Sequence, residues 1–299
     1  MITLAFLSFH SRHLLEKSIK EIISFNLNLP IIIIENSQDY SLKNEFETRY
    51  KNLVKVYIQE ENLGFSKGMN KAIELAKTKY VFLNPSDVQL PFDCLSGLIE
   101  CVKEFKNFDL LAPTYADEKI HKNYVTHHFA KMQKKKEKII ISNKFFLKEV
   151  DWIDGTFIVN KEKFNNLKVL DENIFIYFET MDMCLNFKKQ NRKMYVIENL
   201  KFTHLGGQSH NKIYNFEANL SRNWHYNWSK FYYVKKNFGY LFAIKKSFSI
   251  LFKTLFRLFI CKVKNNQNDY LLIKAELLGL LSSILLKKSS YRPYKQNEF

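Results

Sequence analysis

An α/β fold with a mostly parallel sheet flanked by helices, followed by a helical C-terminal extension, is predicted by three observations. Short apolar runs alternate with helix-periodic segments through the first hundred residues. Each run ends abruptly on polar side chains, and the last 95 residues carry apolar positions at helical spacing.

Ile2 to Phe9 reads as the first strand. Ser11 then stands at a helix start, and Leu14, Leu15, Ile19, Ile22 and Ile23 recur on one helical face. Ile31 to Glu35 is a second strand, Ser41 to Tyr50 a second helix and Leu53 to Ile58 a third strand. Asn62 to Asp87 adds a turn with Gly64 and Gly68, which would let backbone approach a ligand closely. It continues with a helix whose polar face begins at Asn70 and Lys71, a buried strand from Tyr80 to Leu83, and the polar stop Asn84-Pro85-Ser86-Asp87. This β-α-β-α-β-α-β order implies parallel strands, since a helix laid across a sheet face returns the chain in the same direction. Ligands of such sheets gather at the carboxyl ends of the strands. The residues there are Ser8 and His10, then Glu35 and Asn36, then Asn62, then Asn84 and Asp87.

The chain has 299 residues and is 46% hydrophobic, enough for a full core and an appendage. Cys94, Cys101, Cys184 and Cys261 show no Cys-x-x-Cys spacing, which predicts a reducing compartment. No charged leader precedes the first apolar run, so export is not expected. Of the net charge of +16, +12 falls on residues 205 to 299, where 16 Lys and Arg face four acidic residues.

Within that tail, Phe238 to Lys264 sets Lys246, Ser249, Lys253 and Arg257 against Phe248, Ile250, Leu251, Phe252, Leu255, Phe256, Leu258, Phe259 and Ile260. That is a basic amphipathic helix, and cations interrupt it before it reaches the ~18 residues a spanning segment wants. It is expected to lie on an anionic membrane surface, where each basic residue contributes about 1 kcal/mol. Packing of its apolar face on the preceding α/β domain or on a second subunit, making a homo-oligomer, is the alternative. Trp224, Trp228, Tyr232 and Tyr233 suit either setting. A nucleic-acid partner is not expected, because the aromatics follow helical apolar spacing instead of forming a stacking row. Lys134 to Lys136 reads as a solvated loop, and His127, His128 and His210 lack metal-ligand spacing.

The stretch Asn62 to Asp87, with its Asn-x-Gly-Phe turn and acidic strand-end loop, resembles family 2 glycosyltransferases of the GT-A fold. So does Ile31 to Ser37, an apolar strand closing on Glu35, Asn36 and Ser37. Val150 to Phe164 is similar to the family's acceptor-side segment, Asn173 to Lys188 to its acidic catalytic helix, and Phe202 to Ser209 to its His-containing loop before Gly206 and Gly207. The acceptor segment resembles that of bacterial rhamnosyltransferase-like surface-polysaccharide enzymes. The resemblance implies a GT-A catalytic domain over residues 1–205 and a basic helical extension over 206–299.

It further implies an inverting transferase working from a nucleoside-diphosphate sugar to a glycan or lipid-linked acceptor, peripheral on the cytoplasmic face of the inner membrane. Carried over, Glu35 and Asn36 meet the nucleoside, with Ser8 and His10 beside them, and Asn62, Gly64, Lys67 and Asn84 complete the donor site. A solvated strand end and a solvated helix entrance are the alternatives for Glu35 and Lys67. Trp152, Asp154 and Gly155 would meet the acceptor, unless Trp152 belongs to the core.

Charge grows on the diphosphate as the sugar leaves, so a divalent cation, Mg²⁺ or Mn²⁺, is expected, with Asp87, Ser86 and His204 as ligands. Two departures from the family pattern matter. Ser86 stands where the strand-end loop usually has its acidic residue, and Thr180 stands where the general base is usual. A Thr hydroxyl does not accept a proton near neutral pH, which leaves Glu179, or Asp182 three residues on and on the same helix face, as the base. Pairing of Glu179 with Lys188, Lys189, Arg192 and Lys193 is the structural alternative. The two departures also sustain a second reading, a catalytically impaired sugar-nucleotide-binding protein.

Overall fold

A computed structural model describes residues 1–116, 138–141, 144–165, 167–204 and 215–293. His127, His128, Lys134 to Lys136, Gly206, Gly207 and His210 lie outside the described residues. The chain divides into two compact units, one of Met1–Leu63, Gly68–Val169 and Met183–His210, the other of Gly64–Lys67, Leu170–Asp182 and Asn211–Phe299.

The first unit is a sheet with helices. Strands β1 (Ile2–Ser8), β2 (Ile31–Glu35), β3 (Val54–Ile58) and β4 (Tyr80–Pro85) alternate with α1 (Arg12–Ser24), α2 (Tyr40–Tyr50) and α3 (Gly64–Leu75), matching the order read from sequence. They are followed by β5 (Val88–Gln89), α4 (Phe92–Glu104), β6 (Leu110–Tyr115), β7 (Lys138–Ile141), β8 (Phe145–Glu149), β9 (Phe157–Asn160), α5 (Glu179–Lys189), whose residues up to Asp182 group with the second unit, and β10 (Met194–His204). The sheet order is β3-β2-β1-β4-β9-β6-β10-β8-β7, with β5 pairing β10.

Strands β1 to β4 pair in parallel, as the helical crossovers require. The remainder is mixed: β9 lies antiparallel between β4 and β6, and β10 runs parallel to β6. Strands β1, β2 and β4 are apolar without alternation because both faces are covered. Their side chains join Leu15 and Ile19 of α1, Phe46 of α2 and Leu95 and Leu98 of α4 in one core. Ser11 occupies the N-cap of α1, but its hydroxyl donates to Ser8 instead of capping.

The second unit is helical: α6 (Asn215–Phe238), α7 (Tyr240–Val263) and α8 (Gln267–Ile284). Gly239, at φ 95°, turns the chain between α6 and α7, a backbone region closed to most other residues. Trp224 and Trp228 of α6 pack with Ala275 of α8 and Tyr291, and Trp228 Nε1 donates to the Lys287 carbonyl at 3.1 Å. Tyr232 donates to Asp171 at 3.0 Å. These aromatics therefore build the interior of the helical unit, one of the settings that the sequence left open for them. The segments 64–67 and 170–182 group with these helices although they precede residue 205.

Candidate active site

The carboxyl ends of β4, β6 and β10 lie on one edge of the sheet, because β9 runs opposite to both β4 and β6 while β10 follows β6. After β4 the chain turns through Asn84, Pro85, Ser86 and Asp87 into β5. A register shift in β10 between Ile197 and Lys201 carries that strand past β6, so that Thr203 pairs with Gln89 and His204 with Val88. This sets His204 Nε2 3.3 Å from Asp87 Oδ2. The hydrogen bond to Asp87 raises the His204 pKa against the opposing effect of burial, with Asp154 adding attraction.

Asp154 receives a hydrogen bond from the Tyr115 hydroxyl and one from the Gly155 amide, the latter at 2.8 Å. The Tyr115 ring lies 6.1 Å from that of His204. Asp87, His204, Tyr115 and Asp154 thus form one polar strand-end row within the sheet unit. Tyr115 was not foreseen; its place at the polar end of β6 is the signal that marks it. Ser86 is buried in the same turn, and Asn84 is sealed, its Nδ2 donating to the Val88 carbonyl at 3.5 Å and its Oδ1 without a partner.

A divalent cation was expected of Asp87, Ser86 and His204. Among the described residues no group of three His, Cys, Asp or Glu side chains is arranged to hold a metal. The adjacent carboxylate and imidazole nevertheless fit a cation that takes its remaining ligands from phosphate and water.

Several donor-side expectations change. Glu35 is enclosed, at 0% exposure. One oxygen of its carboxyl accepts from the Ser37 amide at 2.5 Å and from the Ser37 hydroxyl, and burial raises its pKa. It thereby shapes the loop after β2 through that oxygen, while its other oxygen, Oε2, is buried without a hydrogen-bond partner among the described residues. Ser8 is equally buried, and Asn36 accepts from the Leu63 amide at 3.3 Å, fastening the approach to α3. His10, at φ 51°, takes its place through its amide, which donates to Ser37. It remains half-buried, as does Asn62, while Lys67 is exposed.

At both glycines the space that a side chain would take is filled from within the chain. A Cβ on Gly64, whose φ is 71°, would lie 2.4 Å from the Phe175 carbonyl oxygen, and one on Gly68 equally close to Leu7. Both permit close packing within the chain.

On the acceptor side Trp152 is 4% exposed and lines a cavity of about 20 Å³, room for one water. A buried ring offers no face to a sugar, so Trp152 is core, while Asp154 and Gly155 remain half-buried.

Glu179 and Asp182 occupy the first turn of α5, and belong to the helical unit. Tyr177 and Phe178 just before them both adopt left-handed backbone, φ 68° and 66°, a strained pair for bulky residues. Helix α6 braces that turn: Ser229 donates to the Ile176 carbonyl at 2.8 Å, and Tyr233 stacks on Phe178 at 5.8 Å. Asp182 accepts from Lys236 at 2.5 Å and from Asn237 at 2.9 Å, and Lys236 also reaches Asp171 at 2.7 Å. Asp182 is thereby an anchor, which removes it as the base. Thr180 is buried. Lys188, Arg192 and Lys193 find Asp151, Asp109 and Glu149 as partners.

Residues 6–172, more than half of the chain, match the family described as glycosyl transferase family 2. The chain belongs to that family. Among solved structures it is similar to a mannosyltransferase from Pyrobaculum calidifontis in complex with GDP-Man and Mn²⁺, with a TM-score of 0.56 at 10% identity over 96% of this chain and 88% of that one. It is also similar to residues 1–349 of TarS from S. aureus, with a TM-score of 0.50 at 14% identity over 96% and 92%. GalNAc-T7 with UDP, GalNAc and Mn²⁺ gives a TM-score of 0.51 at 13% identity over 68% of this chain and 43% of that one. At these identities the likeness is one of fold, GT-A with a helical extension. No curated protein sequence matches.

Proposed function

We propose that this family 2 glycosyltransferase moves a sugar, of hexose type, from a nucleoside diphosphate to a lipid-linked or polysaccharide acceptor, with inversion, in cell-surface glycan synthesis. Residues 1–205 do the chemistry. Residues 206–299 hold the enzyme peripherally on the cytoplasmic face of the inner membrane. The observation that carries the reading is the meeting of Asp87 and His204 at 3.3 Å on the carboxyl edge of the sheet.

Asp87 and His204, with Ser86 beside them, would hold a divalent cation, Mn²⁺ or Mg²⁺, as the Mn²⁺ in two structural neighbours suggests. A cation held by these residues would supply positive charge against the departing diphosphate. Asn62, His10 and Lys67 face the donor, and Asp154 and Gly155 the acceptor. The acceptor hydroxyl attacks the anomeric carbon opposite the diphosphate and its proton passes to the Glu179 carboxylate. A new carbon–oxygen bond forms as the bond to the diphosphate oxygen breaks, its electron pair leaving with the nucleoside diphosphate.

A panel of UDP-, GDP- and dTDP-sugars, screened with Mn²⁺ for a raised melting temperature and then for turnover, tests this directly. Glu179→Gln should lower transfer by about 10³-fold while donor binding persists. Undiminished turnover in that variant removes Glu179 as the base. Ser86, Thr180 and the lack of a three-ligand cluster among the described residues favour one second reading, a sugar-nucleotide-binding protein without turnover. Donor binding with no product from any acceptor would select it.

A further inference from the structure

We propose that the outward face of α7 is a docking surface for an anionic phospholipid bilayer. It rests on the membrane-linked acceptor for its purpose, and on α7 alone for its physics. The side of α7 that packs within the helical unit is small and partly polar: Ala243, Ser247 and Thr254 are its buried residues, with Ile250 and Leu251 against Phe231 and Leu280. The opposite side carries Leu241, Phe248, Phe252, Phe256, Phe259 and Val263, all exposed, Phe248 at 71%. Their spacings of three, four and seven residues put them on one face. This is the reverse of a surface helix, which turns its apolar stripe inward. Contiguous exposed apolar surface of this kind marks an interaction site.

Charge decides the occupant. Over its 24 residues α7 holds Lys245, Lys246, Lys253, Arg257 and Lys262 and no acidic residue. Among the described residues only Arg257 of these five has an acidic partner, Glu276 at 2.8 Å. A second copy of the chain would bring like charge to like, since residues 205 to 299 carry +12 of the net +16. An anionic leaflet answers both features, accepting the Phe rings below its headgroups and the ammonium groups at them. No helix of the described residues is long and apolar enough to cross a membrane, which fits a helix lying in the interface plane.

The test is flotation of the full chain with vesicles of phosphatidylcholine, with and without phosphatidylglycerol. The wild type should float with the anionic vesicles. Phe248→Ser/Phe252→Ser/Phe256→Ser should weaken that binding about tenfold or more with an unchanged melting temperature, because the three rings touch solvent. Lys246→Gln/Lys253→Gln should lose preference for anionic vesicles by about fivefold per charge. In Phe252→Trp, the new indole should shift its emission to the blue on adding anionic vesicles.

Undiminished flotation of the Phe variant, equal binding of the wild type to neutral vesicles, or no binding at all would each overturn the proposal. So would a lipid-independent dimer that the Phe variant converts to monomer while flotation is unchanged. Donor hydrolysis without vesicles separates this from the transferase reading: lost lipid binding with retained hydrolysis confirms the surface alone. Lipid binding in a protein that turns over no donor leaves the surface standing and fells the enzyme.

Discussion

In the sheet unit Phe6, Phe82, Phe108, Phe145 and Phe157 are sealed from solvent, whereas in the helical unit Phe248, Phe252, Phe256 and Phe259 stand on the surface of α7. The difference is one of coverage. Strands β1 and β4 are layered on both faces, so an apolar side chain finds protein whichever way it points. Helix α7 is a single layer of a small bundle. One side of it is covered within the unit, where Ala243, Ser247 and Thr254 are buried and let the helices approach. Hydrophobicity in the first region specifies a fold, and in the second an encounter.

The contrast is sharpest under identical truncations. Phe82→Ala removes a fully buried ring from the central strand and should cost about 3–5 kcal/mol. Phe252→Ala, at 69% exposure, should leave stability within about 0.5 kcal/mol. Urea unfolding of both variants checks the pair. A comparable loss in Phe252→Ala would mean that α7 buries its outer face in solution, and the comparison would break.

Much of the sheet was legible because its first four strands are continuous apolar runs separated by helical periods, ending where polar residues begin. The second half was harder to read. Strand β6 contains Pro113, a residue that weakens any strand reading, and β9 is only four residues long. In the candidate site, Asp87 and His204 were singled out by their order along the chain. Their proximity depends on a register shift in β10 that no local pattern announces. Spacing put Asp182 on the face of Glu179, as it is, but could not reveal Lys236, which comes from another helix and holds it. Gly64 and Gly68 were read as ligand contacts because glycine permits close approach; what approaches is Phe175 and Leu7.

Lys236 extends the comparison to charge. In the sheet unit Lys188 remains largely in solvent beside Asp151, while in the helical unit Lys236 lies between Asp171 and the almost sealed Asp182. Lys236→Met keeps the stem and leaves two carboxylates uncompensated, so it should cost about 2 kcal/mol, less than a fully buried pair because the ammonium keeps some water. Lys236→Arg should recover most of that. Because Asp182 sits one turn from Glu179, Lys236→Met should also lower kcat more than it alters donor affinity. A melting curve and a kcat against KM comparison read both effects, and wild-type kcat with lowered stability would confine Lys236 to holding the fold.

The smallest effect separates the units by pH. His225 of α6 is wholly buried, stacked on Phe175 at 4.3 Å. Its Nε2 faces the Tyr291 carbonyl at 2.9 Å and its Nδ1 the Ser289 hydroxyl at 3.2 Å. A carbonyl only accepts, so Nε2 bears the hydrogen and Nδ1 accepts from Ser289, which is the neutral ring. Burial drives its pKa from 6.5 down to about 3, with Arg292 adding to the fall. The folded value lies below the unfolded one, so between those limits the unfolded chain binds a proton that the folded chain refuses. The stabilisation is complete above pH 6.5 and declines as pH falls, by about 1.4 kcal/mol for each unit. His225→Phe should lower stability at pH 8, where two hydrogen bonds are lost, and the gap to the wild type should narrow by that slope from pH 6 to pH 5. A gap that stays constant over that interval would mean that His225 takes up its proton in the folded state as readily as in the unfolded one.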